Sequence, residues 1–400
     1  MEEKVTISSG PQSASGHVAP STSDSTTFVK NKSDGSSSFK DIFAGMIPGH
    51  HNSRMIVIGH RGNGKNRTLL QGEIPDERPS FRENTINSFN TASKFGASFV
   101  EFDVQRSCRY SEYGVRFDRF KFLLLKQKCG SFDQVTRDGH PIIFHDDYII
   151  LEDKVSRKIG ELSLEEFLAC GPQKDKSTDG RTLYRKAKDN YVSIWTATVE
   201  DSLCTLQEVF EEVDQNVGFN VEVKFDDVLK TSDDELRRVL YPILEVVKQH
   251  AKGRKVYYSS FNPDAVYLLR KEQSSYPVFF LTDGGVNLFN DPRRNSIQAA
   301  VQVCEEGNLQ GIVTEVGAIL REPTLVSLVK QVGLWLFSYG VLNNIAEVVE
   351  KQKILGVDGV IVDHVLEVVT VVRDLEKLPL EKMLNFVPTP LRTLSEEKLP

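Results

Sequence analysis

The stretch Met55-Ile56-Val57-Ile58-Gly59-His60-Arg61-Gly62 runs from a short apolar segment straight into ionisable residues. The same transition recurs further on. Ser98-Phe99-Val100 leads into Glu101-Phe102-Asp103, Pro141-Ile142-Ile143-Phe144 into His145-Asp146-Asp147, and Phe219-Asn220-Val221 into Glu222-Val223-Lys224. Short apolar runs bounded by turn signals have the character of strands buried on both faces. Such runs occupy residues 55–59, 98–104, 141–145, 218–225, 255–260, 278–281, 311–316, 334–339 and 357–362. Helical spacing fills intervals between them, as at 85–95, 203–213, 233–249 and 323–332. Strand–helix alternation implies parallel strands with helical crossovers. The clustering of polar groups at strand exits favours a (β/α)8 TIM barrel over an open doubly wound sheet, because barrel active sites are built at the C-terminal ends of the strands. Nine runs compete for the places in such a barrel, and the surplus is expected at 278–281 or 311–316.

Composition narrows the function. The 400 residues carry 49 Lys and Arg against 56 Asp and Glu, a net charge of −7 that argues against a nucleic-acid binder. No apolar run approaches the roughly 20 residues that span a bilayer. Cys108, Cys129, Cys170, Cys204 and Cys304 form no CxxC pair, so neither a disulfide framework nor a thiolate zinc site is expected. Residues 1–50 are a Ser-rich leader with few large apolar groups, expected to be disordered. A domain is expected over 51–375, and a Pro-containing tail over 376–400. The first residues lack the basic-then-apolar order of a signal peptide, and no Arg precedes Arg54. The expected compartment is the cytosol, with the plastid as the alternative.

A strand points residues i and i+2 to one face, so Glu101 and Asp103 face the same way, as do Glu222 and Lys224. Three carboxylates converging on one barrel mouth repel each other unless a cation lies between them. Their all-oxygen chemistry suits Mg²⁺ or Ca²⁺ rather than zinc. Arg61 and Lys224 on the same rim are suited to hold a phosphate. His60 and His145 exchange protons near neutral pH. Each motif alone has a plainer reading: His-Arg-Gly as a structural turn, Glu-x-Asp as a solvated edge, His145-Asp146 as a strand-end turn. Together, in this order, they describe hydrolytic phosphoryl transfer.

The ordered set His60-Arg61-Gly62, Glu83-Asn84-Thr85, Glu101-Phe102-Asp103, Val135-Thr136-Arg137-Asp138-Gly139, His145-Asp146, Glu222-Val223-Lys224 and Ser259-Ser260-Phe261 resembles the glycerophosphodiester phosphodiesterases, most of all their plant branch. The resemblance runs from about Met55 to about Val372. It implies cleavage of glycerophosphocholine, glycerophosphoethanolamine and similar small molecules to sn-glycerol 3-phosphate and an alcohol. It implies metal ligands at Glu101, Asp103 and Glu222, an acid/base pair at His60 and His145, and phosphate contacts at Arg61 and Lys224. His60 is taken as the base and His145 as the acid, the reverse being the alternative. Asn84 reads as the N-cap of the first helix, with a direct substrate role as the alternative. Ser338-Tyr339-Gly340 stands where the family carries a Trp-Thr strand end, which leaves Tyr339 and Phe261 as candidate walls of a glycerol pocket. His364 reads as a supporting or surface histidine. Two readings compete with hydrolysis: a barrel that binds phosphates or glycerophosphodiesters without turnover, and a phospholipase C- or D-like barrel acting on intact lipid.

Two segments interrupt the pattern. Removing residues 106–134 joins Gln105 to Val135 and restores the family order without a gap. The segment, with Lys121-Phe122-Leu123-Leu124-Leu125 among basic residues and no turn grammar, reads as intron-derived sequence from a retained intron or a faulty gene model. A genuine loop is the alternative. For residues 148–199 the resemblance implies a small cap insertion over the barrel mouth that shapes the choice of alcohol headgroup, the alternative for its basic run from Arg185 being an ordinary solvated face.

Overall fold

The computed structural model describes residues 54–66, 79–105, 136, 138–186, 191–225 and 231–377. The leader 1–50, the tail beyond Lys377 and the segment 106–134 lie outside the described residues, as do Cys108 and Cys129.

In chain order the strands are β1 (Ile56–Gly59), β2 (Phe99–Gln105), β3 (Ile142–Ile143), β4 (Tyr148–Ile150), β5 (Ser156–Lys158), β6 (Tyr184–Lys186), β7 (Val192–Ile194), β8 (Gly218–Val223), β9 (Val256–Ser260), β10 (Val278–Thr282), β11 (Gly311–Glu315), β12 (Trp335–Tyr339) and β13 (Gly359–Val362). Strands β1, β2 and β8 to β13 pair side by side, all parallel, and β1 closes the ring by pairing with both β13 and β2. Ile58 faces Ile361 on one side and Phe99 on the other. Helices between the strands include Ile86–Phe95, Leu206–Glu212, Asp233–His250, Pro263–Glu272, Ile297–Gly307 and Thr324–Gln331. This is the expected TIM barrel.

Period-2 alternation sorts the strand residues. Val57, Val100, Phe102 and Val221 face the helices. Ile56, Ile58, Phe99, Tyr257, Phe279, Val313, Trp335, Phe337 and Ile361 belong to a second cluster that fills the ring. Its aromatic rings interlock, with Phe99 5.4 Å from Tyr257, Tyr257 4.9 Å from Phe279 and Phe279 stacked on Phe337 at 5.0 Å. Gly311 leaves room for this plug, since a Cβ there would sit 2.2 Å from the Phe279 ring. The interior is therefore packed below, and the next inward positions along the strands carry the polar residues: Glu101 and Asp103 after Phe99, Ser259 after Tyr257.

The surplus run is neither 278–281 nor 311–316, both of which are barrel strands. It is 141–145. Only Ile142 and Ile143 form a strand, and they run antiparallel to the end of β2, Val104 opposite Ile143 and Gln105 opposite Ile142. Both isoleucines are fully buried, so composition could not separate this piece from a barrel strand. The physical difference lies in β2, which extends far enough beyond the ring for the chain to fold back on it.

That return opens the cap. Strands β5, β4, β6 and β7 form an antiparallel sheet in that order. The sheet and helix Leu164–Leu168 share a core of Phe144, Ile149, Leu151, Phe167, Leu183, Trp195 and Leu203. The Phe144 ring meets Phe167 and Trp195 edge-on, each at 5.7 Å. Cys170, Cys204 and Cys304 are buried free thiols. Among the described residues no helix is long and apolar enough to cross a membrane.

Candidate active site

The turn after β1 brings the first groups together. Arg61 takes a left-handed backbone conformation, φ 49°, and Gly62 follows at φ 92°, where a Cβ would lie 2.4 Å from the Ser88 hydroxyl. The turn aims the Arg61 backbone N–H at Glu101, 2.9 Å from Oε2. The Arg61 guanidinium donates to Glu83 at 2.8 Å and lies 3.3 Å from Asp103. Asn84, also left-handed at φ 59°, donates from Nδ2 to Asp103 at 2.9 Å. Asn84 is thus not the helix cap. Thr85 is, accepting from the Ser88 N–H, and the displacement by one residue frees Asn84 to face the carboxylates.

Glu101, Asp103 and Glu222 each place an oxygen within 4.8 Å of the others. The barrel register puts Asp103 directly opposite Glu222, and the strand period adds Glu101 on the same face. Burial, with Asp103 and Glu222 alongside, pushes the Glu101 carboxyl well above the ordinary range. Burial also raises Glu222, and Asp103 adds to the rise against the opposing pull of Lys224. Asp103 is driven the other way: burial would raise it, but Lys224 and Arg61 hold it low. Lys224 Nζ donates to Asp103 at 3.1 Å and lies 3.8 Å from Glu222. Oxygen Oε1 of Glu101 is buried and has no hydrogen-bond partner among the described residues. An unsatisfied carboxylate oxygen among two more carboxylates fits a hard divalent cation.

Both histidines carry a carboxylate on the same ring nitrogen. His60 Nδ1 lies 2.8 Å from Asp363, and His145 Nδ1 lies 2.7 Å from Asp146. Burial opposes ionisation of Asp363 and Asp146, but His60 holds the first low and His145 with Arg185 holds the second at about 2. An ionised carboxylate only accepts, so Nδ1 bears the proton and Nε2 is left to exchange one. Gln105 at the end of β2 donates to the His145 backbone carbonyl at 2.5 Å.

Phe261 and Tyr339, which follow β9 and end β12, meet edge-on at 6.0 Å. The Tyr339 hydroxyl donates to Asp283 in a short hydrogen bond. Asn343 donates from Nδ2 to the Ser338 and Ile361 carbonyls, a structural role. His364 occupies the N-cap position of the last helix, Val365–Glu376, without a side-chain capping bond, while the neighbouring Asp363 partners His60. The sequence offered one signal for Asp363. It follows Val362 as His60 follows Gly59, and those two residues are register partners. Glu83 lies in the Glu83-Asn84-Thr85 motif and Arg185 in the cap's basic run, but neither position indicates its partner: Arg185 of the cap donates to Glu83 at 3.0 and 3.2 Å and to Asp146 at 3.0 Å.

The family model described as the glycerophosphoryl diester phosphodiesterase family matches residues 60–107 and 132–367. Arabidopsis thaliana glycerophosphodiester phosphodiesterase GDPD1, chloroplastic, is 45% identical over 331 residues, 82% of this chain and 82% of its own. Arabidopsis GDPD2 is 46% identical over 316 residues, 78% of this chain and 76% of its own. An Oleispira antarctica phosphodiesterase, solved in complex with the product sn-glycerol-3-phosphate, aligns with a TM-score of 0.52 at 18% identity, covering 80% of this chain and 97% of that one. At that identity it speaks to the barrel fold. With most of the chain matched by the family model and by close relatives, the protein belongs to the glycerophosphoryl diester phosphodiesterase family.

Proposed function

We propose that the protein hydrolyses glycerophosphodiesters such as glycerophosphocholine and glycerophosphoethanolamine to sn-glycerol 3-phosphate and the free alcohol. The observation that carries this reading is the buried triad Glu101, Asp103 and Glu222 beside two histidines, each with a carboxylate fixing its Nδ1 proton. A barrel that only bound phosphates would have no use for two oriented proton carriers.

Glu101, Asp103 and Glu222 would hold one divalent cation, Mg²⁺ or Ca²⁺, which when bound offsets the charge on the phosphoryl oxygens. Arg61 and Lys224 hold the phosphate, exchanging part of their present carboxylate contacts for it. His60 takes the proton of the attacking group, a water or the neighbouring glycerol 2-hydroxyl. His145, which leads into the cap, gives its proton to the departing alkoxide. Phe261 and Tyr339 form an apolar wall for the glycerol carbons.

The segment 106–134 is, in this reading, foreign to the working barrel. Support comes from the family match, whose two blocks stop at 107 and resume at 132. The leader 1–50 and tail 376–400 are read as appendages of the domain 51–375. The relative named chloroplastic favours the plastid over the cytosol, which imaging of a fluorescent fusion tests.

The deciding experiment measures glycerol 3-phosphate released from both diesters with Mg²⁺, with Ca²⁺ and with chelator. Release that chelator stops is expected. No release from either diester would sink the substrate assignment.

A further inference from the structure

The cap contributes a guanidinium to the centre of the site. Arg185 on β6 bridges two carboxylates, donating to both oxygens of Glu83 and to Oδ1 of Asp146, the oxygen that faces His145 Nδ1. Its side chain is 14% exposed, against 1% for Glu83. The guanidinium lies 4.5 Å from the centre of the Trp195 ring, within cation–π range. Trp195 in turn packs edge-on against Phe144, the residue before His145. The cap core therefore fixes the Arg185 head and the His145 backbone through one tryptophan. Glu83 also accepts from Arg61, so a line of paired charges runs from His145 through Asp146, Arg185 and Glu83 to the turn that carries His60.

We propose that Arg185 is a positioning residue for the cleavage step: by holding Asp146 it keeps the His145 imidazole where its proton reaches the departing alcohol oxygen. This rests on the role of His145 given above. In that step the attacking oxygen bonds to phosphorus and its proton goes to His60. The phosphorus–alkoxide bond breaks, its electron pair stays on the alcohol oxygen, and that oxygen takes the His145 Nε2 proton. Asp146 alone is a poor anchor, being the immediate neighbour of His145 on a half-exposed turn. A planar guanidinium that satisfies Asp146 and Glu83 at once locks the carboxylate in one orientation, which a lysine point charge does not do.

The test separates positioning from scaffolding by the leaving group. An alkoxide needs a proton as it departs, and a p-nitrophenolate does not. Arg185→Met, Arg185→Lys, Asp146→Asn and His145→Gln are compared with the wild-type chain on glycerophosphocholine and on the p-nitrophenyl diester of glycerol 3-phosphate. Thermal unfolding identifies any variant that fails to fold, and Asp146→Asn, which leaves the cap cation in place, breaks the same link from the other side. On glycerophosphocholine each Arg185 variant is expected to lose about 10–100-fold in kcat with KM within about 3-fold, and far less on the aryl ester. His145→Gln is expected to show the same discrimination more strongly. Equal losses on both esters, or a change in KM alone, overturn the proposal. So does a His145→Gln variant that does not discriminate, which makes His145 something other than the acid. Wild-type protein inactive on both esters instead overturns the reaction itself, and is recognised by the silence of every arm.

Discussion

His60 and Asp363 stand 303 positions apart in the chain and 2.8 Å apart in space, Nδ1 to Oδ1. The closing strand of the barrel thus supplies the partner for the first, since β13 lies beside β1 and both exits point the same way. Asp363 also accepts from the Lys65 N–H at 3.0 Å and from Asn344 at 3.2 Å, which leaves it little freedom to turn. Replacing it with Asn preserves shape and allows the side chain to present either an acceptor or a donor to Nδ1. Asp363→Asn is therefore expected to lower kcat by about 10–100-fold, a fraction of what a general base contributes, with little change in KM. Steady-state kinetics on glycerophosphocholine check it. A variant with wild-type kcat would mean that His60 needs no orienting carboxylate.

The triad makes opposite demands on stability and on cation binding. Glu101 is pushed toward its neutral form by burial, Asp103 and Glu222, so its charge opposes folding when no cation is bound. Glu101→Gln removes that charge and retains an oxygen for the Arg61 N–H. The variant is expected to unfold at a higher temperature than the wild type in chelator. The rise in Tm that Mg²⁺ or Ca²⁺ produces in the wild type is expected to vanish in it, with cation affinity down at least about 10-fold. Differential scanning fluorimetry with and without cation reads both effects. A variant still stabilised by cation would place the ion elsewhere.

The carboxylates were legible in the sequence because strand geometry is local: Glu101 and Asp103 are two residues apart, and a strand fixes their common face. The antiparallel return at Ile142–Ile143 was not, because an apolar pair buried in a return strand has the composition of a barrel strand. Asn84 was misread as a cap because it sits beside Thr85, and either residue type caps a helix well. The partners of Asp363, Glu83 and Arg185 were hidden for a different reason. Their roles exist only as pairs, His60 with Asp363 and Arg185 with Glu83, that the ring and the cap bring together across long stretches of chain. Residue type and spacing hold no record of such pairs.

Asp146 gives the cap a pH dependence whose direction follows from its environment. Burial would raise its pKa, but the hydrogen bond from His145 and the charge of Arg185 hold it at about 2. An unfolded Asp titrates near 3.9, so below that value the unfolded chain binds the extra proton first. The stabilisation is present above about pH 4 and is lost as pH falls toward 2. Its size, discounted for the partial exposure of the group, is on the order of 1–2 kcal/mol. Asp146→Asn is expected to lower the urea midpoint at pH 7, and the gap from wild type is expected to narrow at pH 3.5. A gap of constant width would show that the effect is one of shape and not of charge.

The pairing of β2 with β3 bears directly on residues 106–134. Gln105 lies opposite Ile142, and an antiparallel pair of this kind is ordinarily closed by a short hairpin loop. With 106–134 removed, residues 135–141 alone make the connection. They contain the turn it needs: the Gly139 N–H donates to the Thr136 carbonyl at 2.8 Å, Gly139 takes φ 87°, and among the described residues no side chain crowds it. The His140 N–H closes back on the Thr136 hydroxyl at 3.2 Å. The loop also sets the site, because Gln105 on one side of it holds the His145 carbonyl on the other. A chain with Gln105 joined to Val135 is therefore expected to fold, to keep the hairpin, and to release glycerol 3-phosphate at least as fast as the 400-residue chain. It is also expected to unfold at a higher temperature, since a shorter loop costs less entropy to close. Sequencing of mature transcripts supplies the independent check. If every message encodes residues 106–134 and the shortened chain is the less active of the two, the segment is a working part of the protein.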